Sequence, residues 1–120
     1  MTISLFPILR TPDLARLGGF YEHAFGAEVT YRFDHEGVDV YVALAVGGGQ
    51  LGIGYEADIA RGDAIALWLY ADDADAAYAA ALAAGAASVV PPEDMPWGER
   101  VAQLRDPDGN LLYLATPTPS

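Results

Sequence analysis

The chain has no cysteine, and its 120 residues include no lysine either: six arginines are its only basic residues apart from two histidines, against 17 Asp and Glu. Without cysteine there can be no disulfide, no thiolate metal site and no thiol nucleophile. The formal net charge of -11 repels nucleic acid and anionic membranes, so neither is expected as a partner. The same acidity attracts cationic partners from a distance and also serves solubility. Long apolar runs are missing, and the opening MTISLFPILRTPD has neither a basic n-region nor a small-residue cleavage site, which predicts a cytoplasmic protein. No Ser-His-Asp order with a nucleophile elbow is visible. Gly47-Gly48-Gly49 joins two strand-like runs instead of opening a helix, so it is a hairpin loop and not a phosphate cradle.

What is present is one domain's worth of ordinary globular sequence, with 52% hydrophobic and 19% charged residues. Ile3 to Arg10 reads as a strand. Thr11 follows as a helix N-cap, with Pro12 at the first helical position and Asp13 complementing the helix dipole. Leu14, Leu17, Tyr21, Ala24 and Phe25 recur at helical spacing, and Gly26 is placed as the C-terminal cap. Glu28–Phe33, Val38–Val46 and Gln50–Tyr55 are strand-like, separated by the turn formers Asp34-His35-Glu36-Gly37 and Gly47-Gly48-Gly49.

After the polar stretch Glu56 to Asp63 the order repeats. A strand-like run from Ala64 to Tyr70 meets Asp72-Asp73, then an alanine-rich helix ends at Gly85, and strand-like Ser88–Val90 leads into a Pro91-Pro92 loop. Leu9-x-x-x-Asp13 matches Leu69-x-x-x-Asp73 at an offset of 60, and Gly26-Ala27 matches Gly85-Ala86 at an offset of 59. Repetition at half the chain length constrains the whole topology. The expected fold is α+β, a tandem of two βαβββ modules over residues 1–57 and 58–120 of a single domain.

The last stretch, PWGERVAQLRDPDGNLLYLA from Pro96 to Ala115, closes the second module. Val101–Leu104 and Leu111–Ala115 are apolar runs around Asp106-Pro107-Asp108-Gly109-Asn110, a dense set of turn formers that predicts a β-hairpin. Trp97 and Arg100 stand at its mouth. This stretch resembles the closing hairpin of the glyoxalase / bleomycin resistance / extradiol dioxygenase superfamily, also called the vicinal oxygen chelate superfamily. With the repeat, the resemblance runs from Phe6 to Ala115. It implies that each module curls its strands into a half-barrel, that the two enclose a cleft, and that the protein is a homodimer.

The resemblance also implies a divalent metal in the enzymes of the superfamily, held by His, Glu or Gln from the first and last strand of each module, a donor set suited to octahedral metals. The matching positions here are Phe6, Gly52, Ala66 and Tyr113. None is a usual ligand, so no metal and no cofactor is expected. His23 and His35 fall on a polar helix side and in a turn, and read as solvent-exposed bystanders.

Strand alternation from those positions puts Phe6 and Ile8, Trp68 and Tyr70, and Leu111 and Tyr113 on the cleft face. Leu5, Leu67, Leu69, Leu112 and Leu114 then face the helices. Phe6, Tyr41, Gly52, Trp68, Tyr70, Trp97, Arg100 and Tyr113 are the expected ligand-binding residues, with no catalytic residue assigned. An aromatic cleft suits planar, heteroaromatic or cationic small molecules. The leading expectation is a metal-free binding protein resembling the bleomycin-resistance type. A glyoxalase-like lyase or dioxygenase is the alternative, and a metal-free enzyme would use Arg100 to bind an oxyanion with Asp39 or Glu99 as base.

Overall fold

The computed structural model describes residues 4–117. In chain order the elements are β1 (Ile8–Thr11), α1 (Leu14–Phe25), β2 (Glu28–His35), β3 (Val38–Val46), β4 (Gly49–Tyr55), β5 (Leu67–Tyr70), α2 (Ala74–Ala83), β6 (Ala87–Asp94), β7 (Arg100–Arg105) and β8 (Leu111–Thr116). The chain separates into two compact units, Met1–Ala60 and Arg61–Ser120. Each holds one four-stranded mixed sheet, ordered β1-β4-β3-β2 in the first and β5-β8-β7-β6 in the second. In both, the first strand runs parallel to the last and the other pairs are antiparallel. This is the expected tandem of βαβββ modules.

The repeat extends to single residues. Asp13 and Asp73 are both N-caps with φ of -137°, and their side chains accept from the third helical N–H, Arg16 at 3.1 Å and Ala76 at 3.2 Å. Thr11 is therefore not the cap. It ends β1 opposite Tyr55 and is fully buried, its hydroxyl accepting from the Asp13 N–H at 3.0 Å. Strand pairing holds Thr11 back and leaves the cap to the next free side chain. Gly26 caps α1 in the left-handed conformation, as expected.

In the first unit the core lies between Leu17 and Tyr21 of α1 and Val42, Leu44, Leu51 and Ile53 of the sheet, all buried. In the second, α2 has only Ala74 and Ala81 buried, so leucines supply the bulk: Leu104, Leu112 and Leu114 are at 0% exposure. Burying those three side chains contributes about 1.5–3 kcal/mol each.

β2 runs on through Asp34 and His35, expected in the turn, because both pair with β3, and three further strand boundaries differ from expectation for reasons of backbone pairing. Ile3, the expected start of the first strand, lies outside the described residues, and β1 begins only after Pro7, which has no N–H to give the ladder; its carbonyl accepts from Gly52 at 2.9 Å. Leu5, expected to face a helix, precedes the strand and is 89% exposed. β5 begins at Leu67 instead of Ala64, because its partner β8 starts at Leu111, directly after the turn. Pro91-Pro92 is not a loop but part of β6, an edge strand with register shifts, where proline is tolerated. Among the described residues no helix is long and apolar enough to cross a membrane.

The closing hairpin forms as the sequence predicts. Asp106 N–H donates to Asn110 O at 3.0 Å, Gly109 N–H to Asp106 O at 2.8 Å, and Gly109 adopts φ of 90°. The Asp106 carboxylate is nearly buried and accepts from the Asp108 and Asn110 backbones at 3.0 Å each and from Asn110 Nδ2 at 2.8 Å. Outside the turn, Arg61 reaches Asp108 at 3.0 Å and Arg105 binds Asp63 at 2.8 Å, fastening the start of the second unit to the hairpin. Asp106→Ala strands three donors, and we expect it to lower unfolding free energy by about 2–4 kcal/mol in urea titrations. A loss under about 1 kcal/mol would show that water replaces the carboxylate.

Candidate functional site

The strongest concentration of side-chain chemistry lies on the face of the second sheet opposite α2. Alternation creates it: Leu112 and Leu114 point to α2, so Tyr113 between them points away, in register with Trp68 of β5 and Gln103 of β7. The Trp68 and Tyr113 rings stack at 5.3 Å with an interplanar angle of 17°. Tyr70, next outward on β5, meets the Trp68 ring edge-on at 5.9 Å. Trp97 sits in the β6–β7 turn, where Met95 N–H donates to Glu99 O and Gly98 N–H to Met95 O.

Glu99 joins these rings. Its carboxylate accepts from Trp97 Nε1 at 2.6 Å and acts on the nearby Tyr70 phenol. The interaction with Glu99 pushes the Tyr70 phenol above its ordinary value of 10.0; partial burial adds to the rise, and the Trp68 side opposes it. Trp68, Tyr70 and Trp97 remain 44%, 59% and 58% exposed, so the rings form an open surface and not a core. Four aromatic rings with one carboxylate among them can stack a planar molecule and attract a cation.

Arg100 does not belong to this surface. It shares the parity of Ala102 and Leu104, which face α2, and its guanidinium binds Asp75 of α2 through Nε at 2.7 Å and Nη2 at 3.1 Å, and Asp94 at 3.1 Å. The same contact holds the Asp75 carboxyl below its ordinary range. The signal was present in the sequence, since one residue's shift from Val101 decides the face.

In the first unit Tyr41 lies across Gly52. A Cβ added to Gly52 would stand 2.5 Å from the Tyr41 hydroxyl and 3.0 Å from Ile8, so the phenol fills the space a side chain there would need. Tyr31, unremarked in the sequence, sits 6.3 Å from the Tyr41 ring. Phe6 lies just before β1 and is partly exposed. His23 and His35 are exposed, His23 with its Nδ1 2.6 Å from Gly19 O.

A model of the Glyoxalase/Bleomycin resistance protein/Dioxygenase superfamily matches residues 4–114. The chain belongs to this superfamily. Among solved structures it resembles TioX from Micromonospora sp. ML1, with 23% identity, TM-score 0.79 and coverage of 96% of this chain and 98% of that one. The bleomycin resistance determinant encoded on transposon Tn5 aligns with 24% identity and TM-score 0.72, over 96% and 98% of the two chains. A superfamily member from Sphaerobacter thermophilus DSM 20745 aligns with 26% identity and TM-score 0.75, over 98% of each. A comparison with curated proteins found no match.

The superfamily's divalent metal is a poor fit to this chain. Of its four expected positions Phe6, Gly52 and Ala66 offer no donor atom, and the Tyr113 ring is stacked against Trp68. The room for a longer side chain at position 52 is taken by Tyr41. Among the described residues no group of three His, Asp or Glu is placed to hold a metal ion.

The effect of Glu99 on Tyr70 can be read spectroscopically. Glu99→Gln removes the charge that opposes phenolate formation, so we expect the Tyr70 titration, followed by tyrosinate absorbance, to move down toward 10.0. An unchanged titration curve would mean that the carboxylate does not reach the phenol in solution.

Proposed function

We propose that the protein is a metal-free binding protein of the bleomycin-resistance type, which sequesters a planar or cationic antibiotic-like molecule without a cofactor. The observation that carries this reading is the Trp68–Tyr113 stack, with Tyr70 edge-on to Trp68 and the Glu99 carboxylate bonded to Trp97 and acting on the Tyr70 phenol. A flat ligand lies on the stack, and a positive group on it meets the ring faces and the Glu99 carboxylate. The net charge of -11 raises the encounter rate with cations. Fold likeness to a bleomycin resistance determinant supports the assignment.

Phe6, Tyr41 and Gly52 enter the proposal as ligand contacts of the first unit, with Tyr41 supplying a half-buried phenol over Gly52. Arg100 is left out of it, its guanidinium being held by Asp75 and Asp94. A glyoxalase-like lyase or dioxygenase needs metal donors that Phe6, Gly52, Ala66 and Tyr113 do not provide. The homodimer expected for the superfamily belongs to the same reading.

Titration of intrinsic tryptophan fluorescence with bleomycin and a panel of planar cationic compounds tests the proposal. We expect saturable quenching, unchanged by chelator, and weakened at least about tenfold by Trp68→Ala. A response that appears only with added divalent metal would overturn the metal-free reading. Sedimentation velocity at micromolar concentration checks the dimer, and a monomer would remove it from the proposal.

A further inference from the structure

Four strands contribute one row of side chains across the aromatic face. Trp68 of β5 is opposite Tyr113 of β8, Tyr113 is opposite Gln103 of β7, and Gln103 is opposite Val90 of β6. Neighbouring strands lie about 4.8 Å apart, and the Trp68 and Tyr113 rings stack at nearly that spacing, 5.3 Å. Trp68 therefore covers one face of the Tyr113 ring, and the other face turns toward β7 and the Gln103 side chain. A planar molecule that extends the stack by one place stands above Gln103, with Val90 beyond it.

Gln103 is the exception in this row. Its side chain is half-buried, and its amide has no hydrogen-bond partner among the described residues. No unpartnered side-chain polar atom is sealed from solvent among those residues, so the amide opens onto the face. The fold engages the other polar groups of β7 and β8: Arg100 is held by Asp75 and Asp94, Arg105 by Asp63 and the Gly109 carbonyl, and Thr116 accepts from the Ala74 N–H at 2.8 Å. Around Gln103 the row is apolar, with Tyr113 on one side, Val90 on the other and buried Val101 next along β7. For packing alone a valine or leucine would serve as well. Small-molecule sites use a few polar groups set in such surroundings to fix the orientation of a ligand.

A glutamine amide holds an acceptor and N–H donors in one plane, so it pairs through two bonds with a group that carries an N–H beside an acceptor. We propose that Gln103 is the specificity-determining residue of the aromatic face, and that the site takes a planar cation with a carboxamide or lactam edge. This deepens the sequestering function proposed above and rests on it. The ligand ring stacks on Tyr113, and its positive charge lies among the ring faces on the side of Glu99. Its amide edge points to Gln103, the ligand N–H donating to Gln103 Oε1 and the ligand carbonyl accepting from Nε2. A ring of the same shape and charge that lacks the N–H displaces water from Oε1 and returns no bond to it.

Calorimetry and side-chain NMR on the full chain test this with two probes. One is 1-methylnicotinamide, a flat pyridinium with a carboxamide; the other is 3-acetyl-1-methylpyridinium, which keeps the ring, the charge and the carbonyl but has a methyl group in place of the amide nitrogen. We expect the carboxamide to bind at least about tenfold tighter and to shift the side-chain amide signals of Gln103. In Gln103→Met, which keeps the length of the side chain without the amide, the two affinities should converge. Equal affinities in the unmodified protein, unmoved Gln103 signals, or a preference that survives Gln103→Met would each overturn the inference and leave the aromatic reading standing. Failure of both probes to bind at millimolar concentration would overturn the reading of this face as a site for planar cations, and the inference with it.

Discussion

Everything in the second unit depends on the alternation of β8. Leu112 and Leu114 are withdrawn from solvent beneath α2, and Tyr113 is thereby forced to the opposite face, where it stacks on Trp68. The constraint is strict because the side-chain period of a strand is two: a slip of one residue would expose both leucines and bury a phenol. Alanine-rich α2 sharpens the dependence. With only Ala74 and Ala81 buried on the helix, the leucines of the sheet supply nearly all the apolar area that fixes the register. The turn held by Asp106 sets the β7–β8 pairing that places Gln103 opposite Tyr113 and Leu104 opposite Leu112.

This explains which features could be read from the sequence. The repeat was legible because it rests on local chemistry repeated at a fixed offset: Asp13 and Asp73 cap helices by the same bond. Val38–Val46 and the Asp106–Asn110 turn were legible for the same reason. What was not legible depended on pairing across strands. Pro91-Pro92 looks like a loop until β6 is known to be an edge strand, and Thr11 looks like a cap until its pairing with Tyr55 is known. Trp68, Tyr70 and Tyr113 followed from alternation, whereas Arg100 was misplaced by being grouped with its neighbour Trp97 instead of with Ala102 and Leu104. The role of Glu99 required the turn geometry, which no periodicity encodes.

The two units treat the positions expected to hold metal in related ways. At Gly52 the missing side chain is replaced by the hydroxyl end of Tyr41, and at Tyr113 a ring stands where an imidazole or carboxylate would be expected, held flat by Trp68. In each case an aromatic group takes up the volume. A donor side chain at position 52 would have to displace the Tyr41 ring, and one at position 113 would take the place of the ring that stacks on Trp68.

The arginines account for the electrostatic character that remains. Arg32, Arg61, Arg100 and Arg105 each bind a carboxylate of their own unit. Surface pairs of this kind contribute little to stability, typically about 0–1 kcal/mol, but each neutralises the acid it holds. Glu99 is different. Its carboxylate accepts from the neutral Trp97 indole N–H and faces the Tyr70 phenol, with no arginine bound to it among the described residues. A carboxylate satisfied by arginine offers little to a cation, and an unsatisfied one in solvent is mobile and hydrated. One held by an indole N–H lies among ring faces, and the same bond positions the Trp97 ring.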